Sequence, residues 1–159
     1  MEPRATAKEL GSAIVECVSA GARLINVSVA VVGLSPSSRQ YLSEALDYAQ
    51  ANGTVVVTAA GNHGLVGGSS LTRHAWVVPV VAMGRDGRPI VGSDLGASIG
   101  RRGLGAPGEY VLGIAAGGGY TRLSETSVAA PSPPGRPRSP GRSCHTRRAR
   151  KSCPRWSVA

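Results

Sequence analysis

The chain has 159 residues, of which 42% are hydrophobic and 22 are glycine, with no phenylalanine and a formal charge of +9. That length holds one domain with a real core, and a core without Phe has to be built from Val, Ile, Leu and Ala. The three cysteines (Cys17, Cys144, Cys153) give neither a disulfide framework nor metal-ligand spacing, no apolar run approaches the ~20 residues of a membrane span, and no secretion signal opens the chain. Composition therefore predicts a cytoplasmic protein with no metal and no cofactor. The charge is unevenly placed: eight of the 18 basic residues and no acid fall in residues 132–159, which leaves +1 for everything before them.

Thr6-Ala7-Lys8-Glu9 has capping-box spacing. Leu10, Ala13, Ile14, Cys17 and Val18 recur at helical intervals, predicting a helix with Cys17 in the core, and Gly21 can close it in the left-handed conformation. Arg23 to Val32 is a nearly continuous apolar run, the pattern of a central parallel strand covered on both faces. Ser37-Ser38-Arg39-Gln40 offers a second cap, with Leu42, Ala45, Leu46 and Ala49 as the buried stripe and Asn52-Gly53 as the stop. Thr54 to Ala59 and Trp76 to Met83 read as two further strands. Asp86-Gly87 signals a turn into a short hairpin. Tyr110 to Ala115 reads as another strand, entered through the Pro107-Gly108 turn, and Gly117-Gly118-Gly119 as a flexible link. Helix and strand alternating through short connections predict an α/β fold with parallel strands and right-handed crossovers.

After Pro131 the character changes. Proline recurs every few residues through Ser132–Arg142, which forbids a helix, and too few apolar residues remain to offset the entropy of ordering. Residues 132–159 are predicted to be a disordered basic tail beside a folded unit of residues 1–131.

Three segments in order carry a family resemblance: Ile25-Asn26-Val27-Ser28, then Val55-Val56-Val57-Thr58-Ala59-Ala60-Gly61-Asn62, then Gly105-Ala106-Pro107-Gly108 leading to Thr126-Ser127-Val128-Ala129-Ala130-Pro131. In order and spacing they resemble the C-terminal half of the subtilisin-like serine protease domain (peptidase S8 family) over roughly residues 5–131. The wording of Thr72–Val81 and Ser98–Leu104 further resembles the proteases of cyanobactin-type peptide maturation. The resemblance implies a partial doubly wound parallel sheet with flanking helices, truncated at its N-terminus. It also implies a serine endopeptidase that hydrolyses peptide bonds, with Ser127 as nucleophile and Asn62 as side-chain oxyanion donor. Ser28-Val29-Ala30 and Ala59-Ala60-Gly61 would be the walls of the groove where a peptide substrate pairs as an extra strand.

Serine proteolysis also needs an imidazole base and a carboxylate to orient it. In this family both precede the Ser in the chain, and nothing here resembles their segments. His63 is expected to face solvent from a loop, His74 to lie at a pocket rim, and Asp47 and Asp94 to have no histidine to orient. Glu125 stands where the family has glycine, and Ala30 where it has another. The isolated chain is therefore expected to be inactive. Two alternatives carry different partners: a non-catalytic remnant, or fragment associating with a complementing N-terminal protease half, and a nucleic-acid binder acting through Arg147-Arg148-Ala149-Arg150-Lys151. The second lacks interleaved aromatics for base stacking and is the weaker reading.

Overall fold

The capping box forms in the computed structural model, which describes residues 6–29, 31 and 34–132. The Thr6 hydroxyl accepts the Glu9 amide at 3.2 Å and the Glu9 carboxylate accepts the Thr6 amide at 2.7 Å, opening α1 (Ala7–Ser19). The Thr6 amide, and after it the Thr6 hydroxyl, holds the Glu9 carboxyl below its ordinary range. Gly21 takes a φ of 87° where the helix stops. The buried stripe is Ala7, Gly11, Ile14 and Val18. Cys17, expected in the core, is exposed. At 3.6 residues per turn it lies about 90° around the helix from the centre of that stripe, too far to reach the core.

Helix α2 (Pro36–Ala51) begins earlier than the Ser37-Ser38 expectation. Ser35 is its N-cap, accepting the Ser38 amide at 3.2 Å, and Pro36 occupies the first turn, where its missing N–H costs nothing. Leu42, Ala45, Leu46 and Ala49 are buried as the periodicity predicts. With Ile14, Val18, Val56, Leu71 and Val77 they form the larger core cluster.

The main sheet is parallel, in the order β1 (Leu24–Val27), β2 (Val55–Ala59), β3 (Val77–Met83), β4 (Leu104–Pro107). Side chains alternate across it. Val77 and Val81 face one side, toward the helix pair and α4 (Ala97–Arg102), whereas Val80 and Ala82 face the other, against Ala129 and Ala130. Covered on both faces, β2 and β3 read as unbroken apolar runs. β1 does not fit the central-strand expectation: it is four residues long, ends the sheet formed by the described residues, and exposes Leu24 at 57%. β3 is central and yet contains the buried Pro79. The Val80 carbonyl accepts the Ala60 amide on the β2 side, so the alternation turns the Pro79 nitrogen toward β4, whose pairing starts only at Val80↔Leu104.

The expected strand near Tyr110 is β5 (Val111–Ile114), and it pairs antiparallel with β6 (Tyr120–Leu123) in a separate sheet. Gly117–Gly119, expected as a link toward Ser127, instead turn this hairpin, all three with positive φ. One hairpin face presents Leu112, Ile114 and Tyr120 to solvent. A four-residue helix, α3 (Ser70–Arg73), precedes β3, and α5 (Thr126–Ala129) follows β6. No helix among the described residues is long and apolar enough to cross a membrane. Ala30 and the basic segment Arg147–Lys151, with Cys144, Cys153 and His145, lie outside the described residues.

Two substitutions separate core from surface. Leu46→Ala, at a side chain 1% exposed, is expected to cost about 2–5 kcal/mol in a denaturant titration. Cys17→Ser is expected to stay within about 0.5 kcal/mol of the parent.

Candidate active site

Helix α5 starts beneath the carboxyl ends of the parallel strands because everything around it is small. Ala129 and Ala130 pack directly on Val80, Ala82 and Ala106. Gly108, just beyond β4, has no room for a side chain, since a Cβ there would overlap that of Ala82 and crowd the Glu125 carbonyl. A bulky residue at any of these positions would lift the helix start away from the sheet.

Thr126, the first residue of α5, is fully buried. Its amide donates to Asn62 Oδ1 at 2.9 Å and its hydroxyl donates to the same oxygen at 2.8 Å. The Thr126 Oγ1 also accepts the Gly61 amide at 3.3 Å. A backbone amide can only donate, so the Asn62 atom it faces is the oxygen. Nδ2 is thereby turned to the other side, and no hydrogen bond among the described residues engages it. The loop carrying Asn62 is held from its other flank by Asp94. That carboxylate accepts the amides of His63 and Leu65, each at 2.9 Å, and the Asp94 amide donates to the Gly61 carbonyl at 2.9 Å. Gly61 has a φ of 118°, and a Cβ on it would overlap the Asp94 carboxylate. Glycine is required here on both counts.

Ser127 is half-buried, and its hydroxyl donates to Glu125 Oε2 at 2.8 Å. Its carbonyl accepts the Ser28 hydroxyl at 3.4 Å, and Ser28 in turn accepts Asn26 Nδ2 at 3.0 Å, tying the end of β1 to the start of α5. Of the residues expected at the site, Ser28, Val29, Ala59, Ala60, Gly61, Asn62 and Ser127 line one cleft of about 260 Å³.

The two described histidines lie as expected, His63 exposed on its loop and His74 at a pocket rim, but the two aspartates depart from expectation. His63 lines the same cleft and lies 3.5 Å from Asp94 Oδ2, and His74 Nε2 lies 3.1 Å from Asp47. Both aspartates thus have a histidine partner that the sequence spacing did not reveal, because the fold brings them together across 31 and 27 positions. Neither histidine is hydrogen-bonded to Ser127; its hydroxyl partner is Glu125. No group of three or more His, Cys, Asp or Glu among the described residues is placed to hold a metal ion. Thr126 and Asp94 are the positioning residues that sequence reasoning missed. The available signal was a polar residue directly before Ser127 at an otherwise small, apolar helix start.

Removing the Thr126 hydroxyl tests this bracing. Thr126→Val leaves the Gly61 amide without its acceptor and is expected to cost about 1–3 kcal/mol in a denaturant titration. Thr126→Ser, which keeps the oxygen and loses one methyl, is expected to cost about 1 kcal/mol.

Comparison with known proteins adds three findings. Residues 1–132 match the family model of the Subtilase family. Among solved structures, the chain is similar to the prenylagaramide maturation protease PagA at 31% identity and a TM-score of 0.75, over 82% of this chain and 47% of that one. It is similar to the patellamide maturation protease PatA at 34% identity and a TM-score of 0.71, over 81% of this chain and 47% of that one. The PatG macrocyclase in complex with peptide is similar at 27% identity and a TM-score of 0.72, over 79% of this chain and 38% of that one. The chain thus spans about half the length of the first two structures, or less for the third. A comparison with curated proteins found no match.

Proposed function

The chain belongs to the subtilase family of serine proteases, and from that premise we propose that its cleft is the nucleophile and oxyanion half of a peptide-bond-cleaving centre. Ser127 Oγ is the attacking atom. As it bonds to the carbonyl carbon, its proton passes to a base, the carbonyl oxygen becomes an oxyanion, and Asn62 Nδ2 donates to that oxyanion. The amine then leaves with the proton, and water releases the acyl group from Ser127. The substrate is a peptide, laid as an extended strand between Ser28-Val29 and Ala59-Ala60-Gly61.

The observation that carries this reading is the pair of Thr126 donors on Asn62 Oδ1. They fix the amide with Nδ2 as its remaining donor, one residue before the serine that would attack. The similar macrocyclase is a complex with peptide, which supports a peptide as the substrate class.

The isolated chain is inactive in this reading, because no imidazole bonds Ser127 among the described residues. A fluorophosphonate probe tests it. Ser127 should be labelled negligibly in the chain alone and measurably when free imidazole is added as a surrogate base, with no labelling of Ser127→Ala. Losing one oxyanion donor costs a subtilisin about 10²–10³ in turnover; on that borrowed scale Asn62→Ala should lower imidazole-assisted labelling by about 10²-fold. Fast labelling without imidazole would mean that the chain supplies its own base and would overturn the inactivity.

A second reading has a specific observation behind it. β1 ends the described sheet with its outer main-chain edge unpaired and Leu24 exposed, as suits a fragment completed by another polypeptide that carries the Asp and His. Mixing the chain with the N-terminal half of a subtilase should then generate peptide cleavage that Ser127→Ala abolishes. Absence of cleavage, with both pieces folded, would favour a non-catalytic remnant.

A further inference from the structure

Ser127 has one hydroxyl proton, and in this chain the proton is already committed. It is donated to Glu125 Oε2 at 2.8 Å, two residues back along the chain. Glu125 is the N-cap of α5, yet its side chain caps nothing, leaving its carboxylate no helix-terminal role. Its backbone, with φ −154° and ψ 160°, is ordinary extended geometry open to any residue, so conformation does not select a glutamate here. The hydrogen bond to Ser127 is the only side-chain contact of this kind that Glu125 makes among the described residues.

We propose that Glu125 is a hold on the nucleophile: its carboxylate occupies the acceptor position at Ser127 Oγ that a general base must take before the serine can attack. The inference rests on Ser127 being the nucleophile and adds what governs its availability. A base can remove the Ser127 proton only from a hydroxyl that points to it. While Oγ–H points to Glu125, an incoming imidazole finds the oxygen turned the wrong way. The carboxylate also places a negative charge beside an atom that must itself become more negative as it loses its proton. Glu125 is exposed, so the hold is reversible. Any contact that draws the carboxylate away, such as a basic side chain of a bound peptide, frees the hydroxyl. An ionised acceptor gives a stronger bond than a neutral one, and the exposed setting limits its effect on reactivity to about tenfold.

The test uses the full chain and the fluorophosphonate probe, with free imidazole as the base. Glu125→Ala should be labelled at Ser127 about tenfold faster than the parent, and Glu125→Gln, which keeps a neutral acceptor of the same length, should fall between them. Position 125 is exposed and its side chain caps nothing, and circular dichroism confirms that both variants fold. Equal rates for the parent and Glu125→Ala would overturn the hold and leave Ser127 as the nucleophile. Equal acceleration in the Ala and Gln variants would overturn it in favour of a simple charge effect. A parent that labels faster than Glu125→Ala would also overturn it, making Glu125 a base. Labelling of neither form at Ser127 would overturn both the hold and the reading of the cleft on which it rests.

Discussion

One buried hydroxyl couples the two halves of the site. Thr126 joins the loop after β2 to the first turn of α5 by donating twice to Asn62 and accepting from Gly61. Those segments lie 64 positions apart in the chain, and the parallel topology brings them to the same end of the sheet. Without that coupling, the Asn62 side chain, exposed on its loop, would be free to rotate, and its donor would have no fixed direction. A donor that must meet a developing negative charge is effective only when its orientation is set beforehand. The rest of the local structure keeps this contact possible: small alanines seat α5 on the sheet, Gly108 permits the close approach, and Asp94 braces the far side of the Asn62 loop.

Hydroxyl groups do similar stitching elsewhere. Thr58, buried in β2, donates to the Val27 carbonyl at 2.9 Å, and Thr54 donates to the Ala22 carbonyl at 2.7 Å, so β1 is joined to β2 by side chains as well as by the ladder. Trp76 places its indole N–H on the Thr54 carbonyl at 2.7 Å, and Arg102 reaches the Thr72 and His74 carbonyls at the end of α3. Among the described residues no buried side-chain nitrogen or oxygen lacks a partner. Burial of these polar groups costs little because each is satisfied.

The sequence was most legible where burial was most complete. β2 and β3 show as apolar runs because both of their faces are covered, and the α2 stripe shows because one helix face packs on the sheet. β1 misled because an apolar run does not say whether a neighbouring strand is present to cover it. β4 was missed because Leu104-Gly105-Ala106-Pro107 carries turn residues. It is an edge strand, where a proline needs no ladder partner on its outer side. Cys17 misled because helical spacing admits it to the rim of a stripe whose true centre is set by which face α2 meets. At the site, Asn62 and Ser127, the two residues that the motif singles out, line one cleft. The pairing of His63 with Asp94 and of Ser127 with Glu125 depended on loop paths and rotamers that no spacing encodes.

The β5–β6 hairpin leaves Leu112, Ile114 and Tyr120 facing water at 63%, 83% and 76% exposure. Stacked across two strands, they make a contiguous greasy surface rather than scattered apolar residues, and surfaces of that kind are sticky. Apolar surface left in water favours association with any other apolar surface that can cover it. Solubility of the folded chain therefore depends on this face as well as on how well its core is packed.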